Sequence, residues 1–271
     1  MKADSSLKID QTQGWRLGLQ NLLIRENNQW WKTSRWWVQT LVWGLITNGL
    51  LVLLLVLLPL VVNVLPNVNQ AQLSTLPGGV EIFFSLAGLA FPIGVVILVQ
   101  GSVITEKELG TAEWILSKPV SRTAFVLAKF LGHALGILMT LVVCQSLVAY
   151  GLIWLNQGAP LPLGNFIKGV GVLVIMLLFY LSLVLMMEVL SDKRGTVLAI
   201  GLGSALGGML LVQLFPFLGY ITPFMLSNLS PLIVLGSPPA GFPVWLPLFS
   251  TVVMSITFLI IAIRGFNQKD L

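Results

Sequence analysis

The sequence predicts an all-α polytopic membrane protein, and three observations carry that prediction. Of the 271 residues, 56% are hydrophobic and 9% charged, where a soluble domain has about 25% charged residues. The mean hydropathy is +0.92. Six apolar runs, at about 38–62, 80–104, 124–155, 165–190, 196–220 and 242–263, each reach the ~20 residues that cross a bilayer as a helix. Backbone in lipid must satisfy its own hydrogen bonds, and these continuous runs lack the alternation of a barrel strand.

Residues 1–37 precede the first run and show neither a short apolar core nor a cleavage site, so they do not read as a signal peptide. Within 14–37, Trp15, Leu19, Leu22, Leu23, Trp30, Trp31, Trp36 and Trp37 mix with Arg16, Arg25, Lys32 and Arg35. That composition suits an interfacial helix, with rings at the headgroups and charges toward anionic lipid.

Orientation follows from the basic residues. Lys2, Lys8, Arg16, Arg25, Lys32 and Arg35 lie before the first run, and Lys107, Lys118 and Arg122 between the second and third. Lys193 and Arg194 lie between the fourth and fifth, and Arg264 and Lys269 at the end. These are 13 of the 15 basic residues, and the loops at 63–79, 156–164 and 221–241 hold none. The positive-inside rule then places both termini and the 105–123 and 191–195 loops in the cytoplasm. This topology explains the net charge of +5 without nucleic acid as a partner. The organisation expected is a cytoplasmic N-terminus (1–37), a six-helix domain (38–264) and a short cytoplasmic tail (265–271).

Between the fifth and sixth runs, residues 221–241 are too apolar for a free loop and too rich in proline for a span. Short re-entrant or interfacial helices are expected there, buried against protein. In the fifth run, Gly203 with Gly207 and Ser204 with Gly208 place small residues four apart, for helix packing or a dimer contact.

The stretch from Thr105 to Arg122 concentrates charge. It holds Glu106, Glu108 and Glu113 of the ten acidic residues. Thr105 with Glu108 fits a capping box, and Gly110 allows a bend. Thr111 suits the cap of a short helix with Glu113 in its first turn. Ala112, Ile115 and Leu116 share one face. Pro119 ends that helix, and Ser121 suits the cap of the third span. These residues spell a short amphipathic helix tied at both ends to transmembrane helices, although periodicity alone allows a solvated loop equally well.

This run, TEKELGTAEWILSKPVSR, resembles the signature of type-2 ABC-transporter permeases, which carry it between their second and third spans. Glu106, Glu108, Gly110, Thr111, Glu113, Leu116, Ser117, Pro119, Val120, Ser121 and Arg122 match the pattern, while Trp114 and Ile115 stand where many relatives have leucine. The resemblance implies an exporter permease in a bacterial plasma membrane, paired with a second permease, commonly a copy of itself. Two ATP-binding subunits would dock from the cytoplasm on a coupling helix at 110–118. Glu106, Glu108, Gly110, Thr111, Glu113, Ile115, Leu116, Pro119 and Arg122 would form that coupling element. ATP and magnesium would sit on the partners, with no cofactor on this chain. Substrate would pass between the two permeases, along parts of the first, second and fifth spans.

The chain lacks catalytic motifs of its own. It has no Gly-Lys dipeptide and so no P-loop, no His-Glu-x-x-His zinc motif, and no Gly-x-Ser-x-Gly elbow. Cys144 is the single cysteine and His133 the single histidine. Lys129 and Glu188, both in spans, are expected to pair with one another, since charge in a membrane segment is costly alone. His133 is expected to make a helix-packing hydrogen bond. Glu81 suits the start of the second span, where an acid complements the helix dipole. Two other functions fit the same composition: a secondary transporter without ATPase partners, disfavoured by the lack of mid-membrane acids, and a scaffold that binds a soluble partner through 105–122.

Overall fold

In the computed structural model, residues 14, 16–57, 59–60, 78–237 and 241–268 are described. Most of the loop at 63–79, with Lys2, Lys8, Trp15 and Lys269, lies outside them. The described residues are helical and contain no strand. Six helices are long and apolar enough to cross a membrane: Arg35–Leu57, Gly79–Glu108, Arg122–Gln157, Leu163–Leu190, Arg194–Leu214 and Trp245–Gln268. They coincide with the six apolar runs, and they make this chain an integral membrane protein.

We number the helices in chain order. α1 is Leu19–Trp31, and α2 is the first span, Arg35–Leu57. The second span divides into α3 (Gly79–Val99) and a short extension, α4 (Ile104–Glu108). The six-residue α5 (Thr111–Leu116) follows. α6 (Arg122–Gln157), α7 (Leu163–Leu190) and α8 (Arg194–Leu214) are the third, fourth and fifth spans. α9 (Leu218–Ile221), a 3-10 turn (Pro223–Met225) and α10 (Leu226–Val234) precede α11 (Trp245–Gln268), the sixth span.

α7 is the centre of the bundle. Its most apolar stretch is 67% buried, against 22% for α2 and α8 and 17% for α11. It packs on α11, α10, α3 and α8. The outer helices keep large apolar side chains on the surface, among them Leu45, Leu210, Phe249 and Ile256. Surfaces of that composition are solvated by lipid rather than water.

The short helices expected at 221–241 are present, and α10 packs against α3 and α7. Glycines admit them. A Cβ on Gly88 would stand 2.4 Å from the Ser227 side chain, one on Gly169 2.4 Å from Val234, and one on Gly208 2.1 Å from Phe224. The small residues of α8 therefore divide. Gly208 serves packing within the subunit, Ser204 Oγ donates to Gly201 O (2.9 Å), and a Cβ added at Gly203 or Gly207 would meet nothing from other elements within 4 Å.

α1 is held more deeply than an interfacial helix need be. Leu22, Glu26 and Trp30, four apart, are buried against α6. Gly132 and Gly136 of α6 receive them: a Cβ there would meet Glu26 at 2.6 Å and the Trp30 ring at 2.3 Å. Close approach over small residues four apart is a common packing mode in membranes. Trp31, Trp36 and Trp37 remain exposed.

α2 and α6 each contain π-helical turns, at Leu45–Gly49 and Leu138–Val143. A π turn releases carbonyls from the regular ladder. Gln145, just after the second π turn, donates from Nε2 to Thr140 O within that turn (2.8 Å) and to Thr40 O of the first span (2.9 Å). Its Oε1 accepts from Asn48 Nδ2 at 2.9 Å, joining the first and third spans. Nothing in the local sequence around Asn48 or Gln145 marks this contact.

Candidate functional site

The segment from Gly101 to Arg122 leaves the second span and returns as the third. The break comes at Gly101, whose φ of +89° suits glycine. Thr105 does not cap a helix here. α4 begins a residue earlier, at Ile104, and the Thr105 hydroxyl donates back to the Gly101 carbonyl. Gly110 also takes a left-handed conformation (φ +66°) and is itself the cap position of α5. Thr111 is thus the first helical residue rather than the cap. Ser121 caps the third span as expected, its Oγ accepting from Ala124 N at 3.0 Å.

Ala112 and Ile115 are buried and Leu116 half-buried, so α5 lays one face on the bundle. The other face carries Glu113 and Trp114, flanked by Glu108, Leu109, Lys118 and Pro119, all exposed. Leu109 is 73% and Trp114 61% exposed. The Lys118 ammonium lies 3.6 Å from the Trp114 ring centroid, a cation–π contact.

Charged side chains fasten this segment to its surroundings. Glu106 Oε1 accepts from Lys129 Nζ at 2.8 Å and Arg25 Nη2 at 2.9 Å. Lys129 also meets Glu26 at 3.0 Å. One buried cluster therefore joins α1, α4 and α6. On the other side, Lys107 Nζ donates to Glu188 O (2.8 Å), Ser191 O (3.3 Å) and Asp192 Oδ1 (3.0 Å). Arg194 Nη2 reaches Thr105 Oγ1 (3.0 Å) and Glu108 Oε2 (3.1 Å). Arg122 Nη1 donates to Asn267 O at 3.0 Å, and Phe125 stacks on Phe266, ring centroids 4.9 Å apart.

The pairing expected between Lys129 and Glu188 does not form. Lys129 is taken by Glu26 and Glu106. Glu188 instead receives the turn after the second span: Oε1 accepts from Ser102 N (3.0 Å), and Oε2 from Ser102 Oγ (2.8 Å) and Val103 N (2.7 Å). The physical reason is supply of donors. The break at Gly101 turns the Ser102 and Val103 N–H groups and the Ser102 hydroxyl toward Glu188, and a buried carboxylate with three donors needs no cation. At the far end of the second span, Glu81 Oε2 accepts from Gly78 N (3.2 Å), closing that helix's first turn.

Beside the charged cluster is a cavity of about 300 Å³, bordered by Arg35, Gln100, Ser102, Glu106, Lys129 and His133. His133 packs edge-on to Trp30 (6.0 Å, 80°). Neither of its ring nitrogens has a hydrogen-bond partner among the described residues, so the expected packing bond is absent. Among the described residues no group of His, Cys, Asp and Glu could hold a metal ion.

Residues 60–271 match the family described as "Protein of unknown function (DUF2705)". The chain belongs to DUF2705. The match takes in the second to sixth spans and the whole 101–122 segment, whereas α1, which supplies Arg25 and Glu26, lies before it. No curated protein matches the chain. As a DUF2705 member, it pairs a six-span bundle with one small, strongly braced segment at the end of the second span. The residues singled out in sequence divide there. Glu106, Ile115 and Arg122 face inward or bind neighbouring helices, while Glu113 and Pro119 face out and Gly110 shapes the turn.

Proposed function

We propose that this DUF2705 protein is the membrane-spanning subunit of an ATP-driven transporter, an exporter permease in a bacterial plasma membrane with cytoplasmic termini. Two ATP-binding subunits dock on the outward face of α5, and those partners carry ATP and magnesium. The observation that carries the reading is an exposed apolar pair, Leu109 and Trp114, set among Glu108, Glu113 and Lys118. The charges keep this face in water rather than lipid. A tryptophan left in water beside charges is the composition of a protein-docking hot spot.

The bracing supports a relay. A push on α5 passes through Glu106 to α1 and the third span, through Lys107 and Arg194 to the fourth and fifth, and through Arg122 to the sixth. The first and fifth spans both pack on the second and are largely uncovered. A second copy of the chain fits against them, and substrate passes along that interface.

A scaffold that only binds a soluble partner would use the same face, so the test must identify the partner by chemistry. A photo-crosslinking residue replaces Trp114, with the buried Ile115 position as the control. The reading expects an adduct from position 114 that binds labelled ATP, and none from 115. An adduct that binds no nucleotide would favour the scaffold.

A further inference from the structure

The end of the bundle far from the 101–122 segment holds a cleft of about 590 Å³ between α7, α10 and α11. Its walls are apolar, including Val172, Ile175, Ile233 and Leu248. Two polar residues stand at its mouth, Asn165 and Lys168. Gly171 contributes no side chain to the space, and a Cβ there would meet nothing within 4 Å.

Lys168 has an unusual position. It is exposed, and among the described residues it makes no hydrogen bond or ion pair. It lies in the second turn of a 28-residue helix. Glu26, Glu106, Glu108, Glu113, Glu188 and Asp192 gather at the opposite end, around the 101–122 segment, and Glu81, the one described acid at this end, accepts from Gly78 N.

Ile175 forms the inner wall of the cleft. That residue also borders a second cavity of about 190 Å³, lined by Leu178, Ser182, Val252 and Leu259 of the same two spans and by Phe130 of the third. Lys168 to Ser182 is ~21 Å along a helix that rises 1.5 Å per residue, somewhat more than the ~15 Å of hydrocarbon in one leaflet. A cation at the mouth and an apolar track of leaflet depth match a molecule with an anionic head and a long acyl chain.

We propose that this groove between the fourth and sixth spans binds one anionic phospholipid. Its phosphate sits at Lys168 and Asn165, and one acyl chain lies past Ile175 toward Ser182. The site is separate from the docking face and does not depend on what docks there.

Native mass spectrometry of the purified full chain tests this, with phosphatidylglycerol and phosphatidylcholine of matched chains added in equal amounts. One phosphatidylglycerol is expected to be retained per chain in preference to phosphatidylcholine. Lys168→Gln is expected to lower that retention roughly fivefold. Ile175→Trp blocks the track and is expected to lower it with the lysine intact. The two variants probe different parts of the groove, so either decides alone if the other does not fold. Equal retention of the two lipids, or retention unchanged in the folded variants, would overturn the site. Preferential retention of oleate over the phospholipid would overturn the assignment to a membrane lipid.

Discussion

The Lys129 ammonium stands 2.8 Å from Glu106 Oε1 and joins the third span to the extension of the second. Its other partner, Glu26 at 3.0 Å, comes from α1. All three side chains are buried or nearly so. Removing one partner of a buried ion pair leaves a charge without compensation and costs about 3–5 kcal/mol. Lys129→Met is therefore expected to lower the melting temperature of the purified protein sharply. Lys129→Met with Glu26→Gln is expected to recover part of that loss, because Glu106 still has Arg25 at 2.9 Å. A Lys129→Met protein as stable as the wild type would contradict the cluster.

Glu188 gives a second prediction. Glu188→Ala orphans the Val103 N–H, at about 1–3 kcal/mol when buried, whereas Ser102 N keeps the Val99 carbonyl at 2.9 Å. Hydrogen exchange at Val103 is expected to rise, while exchange in the core of α7 stays slow. Protection at Val103 that survives the substitution would mean that the carboxylate does not hold the turn.

The glycines of the fifth span separate two roles. Gly208→Val forces the added carbons into Phe224, and overpacking of this kind costs about 1–3 kcal/mol. Gly203→Ala points into open space and is expected to leave the melting temperature unchanged. If Gly203→Ala instead reduces dimer formation in crosslinking, the open face of α8 is the contact between copies.

Orientation is tested by labelling single cysteines in a Cys144→Ser background. An impermeant maleimide on intact cells is expected to label Ala159→Cys, in the loop after the third span, and to spare Ser117→Cys until the cells are opened. The reverse pattern would invert the topology.

Much of this architecture is legible in the sequence because lipid imposes simple rules. The six spans follow from length and hydropathy, and the short helices before the sixth span follow from apolar residues broken by proline. The cap at Ser121 and the buried face of α5 follow from local spacing. Contacts between distant elements do not. Lys129 has three buried carboxylates within reach of its end of the bundle, and only the seating of α1 on Gly132 and Gly136 selects Glu26 and Glu106. Those two glycines, four apart in the third span, were the available signal. The cap at Thr105 fails for a similar reason: the helix axis breaks at Gly101, so the next helix begins at Ile104 and Thr105 lies inside it. The π turns at Leu45–Gly49 and Leu138–Val143, and the Asn48–Gln145 contact they accommodate, have no local signature at all.

The most direct test of the proposed role is the ATPase activity of the membrane complex purified through a tag on this chain. Wild type is compared with Glu113→Lys, which changes the exposed face of α5 without touching its braces, and with residues 110–118 replaced by a Gly/Ser linker. The coupling reading predicts that a soluble ATPase co-purifies with wild type and is lost or uncoupled in both variants, while the membrane bundle still folds. No co-purifying ATPase, or turnover indifferent to both changes, would contradict it.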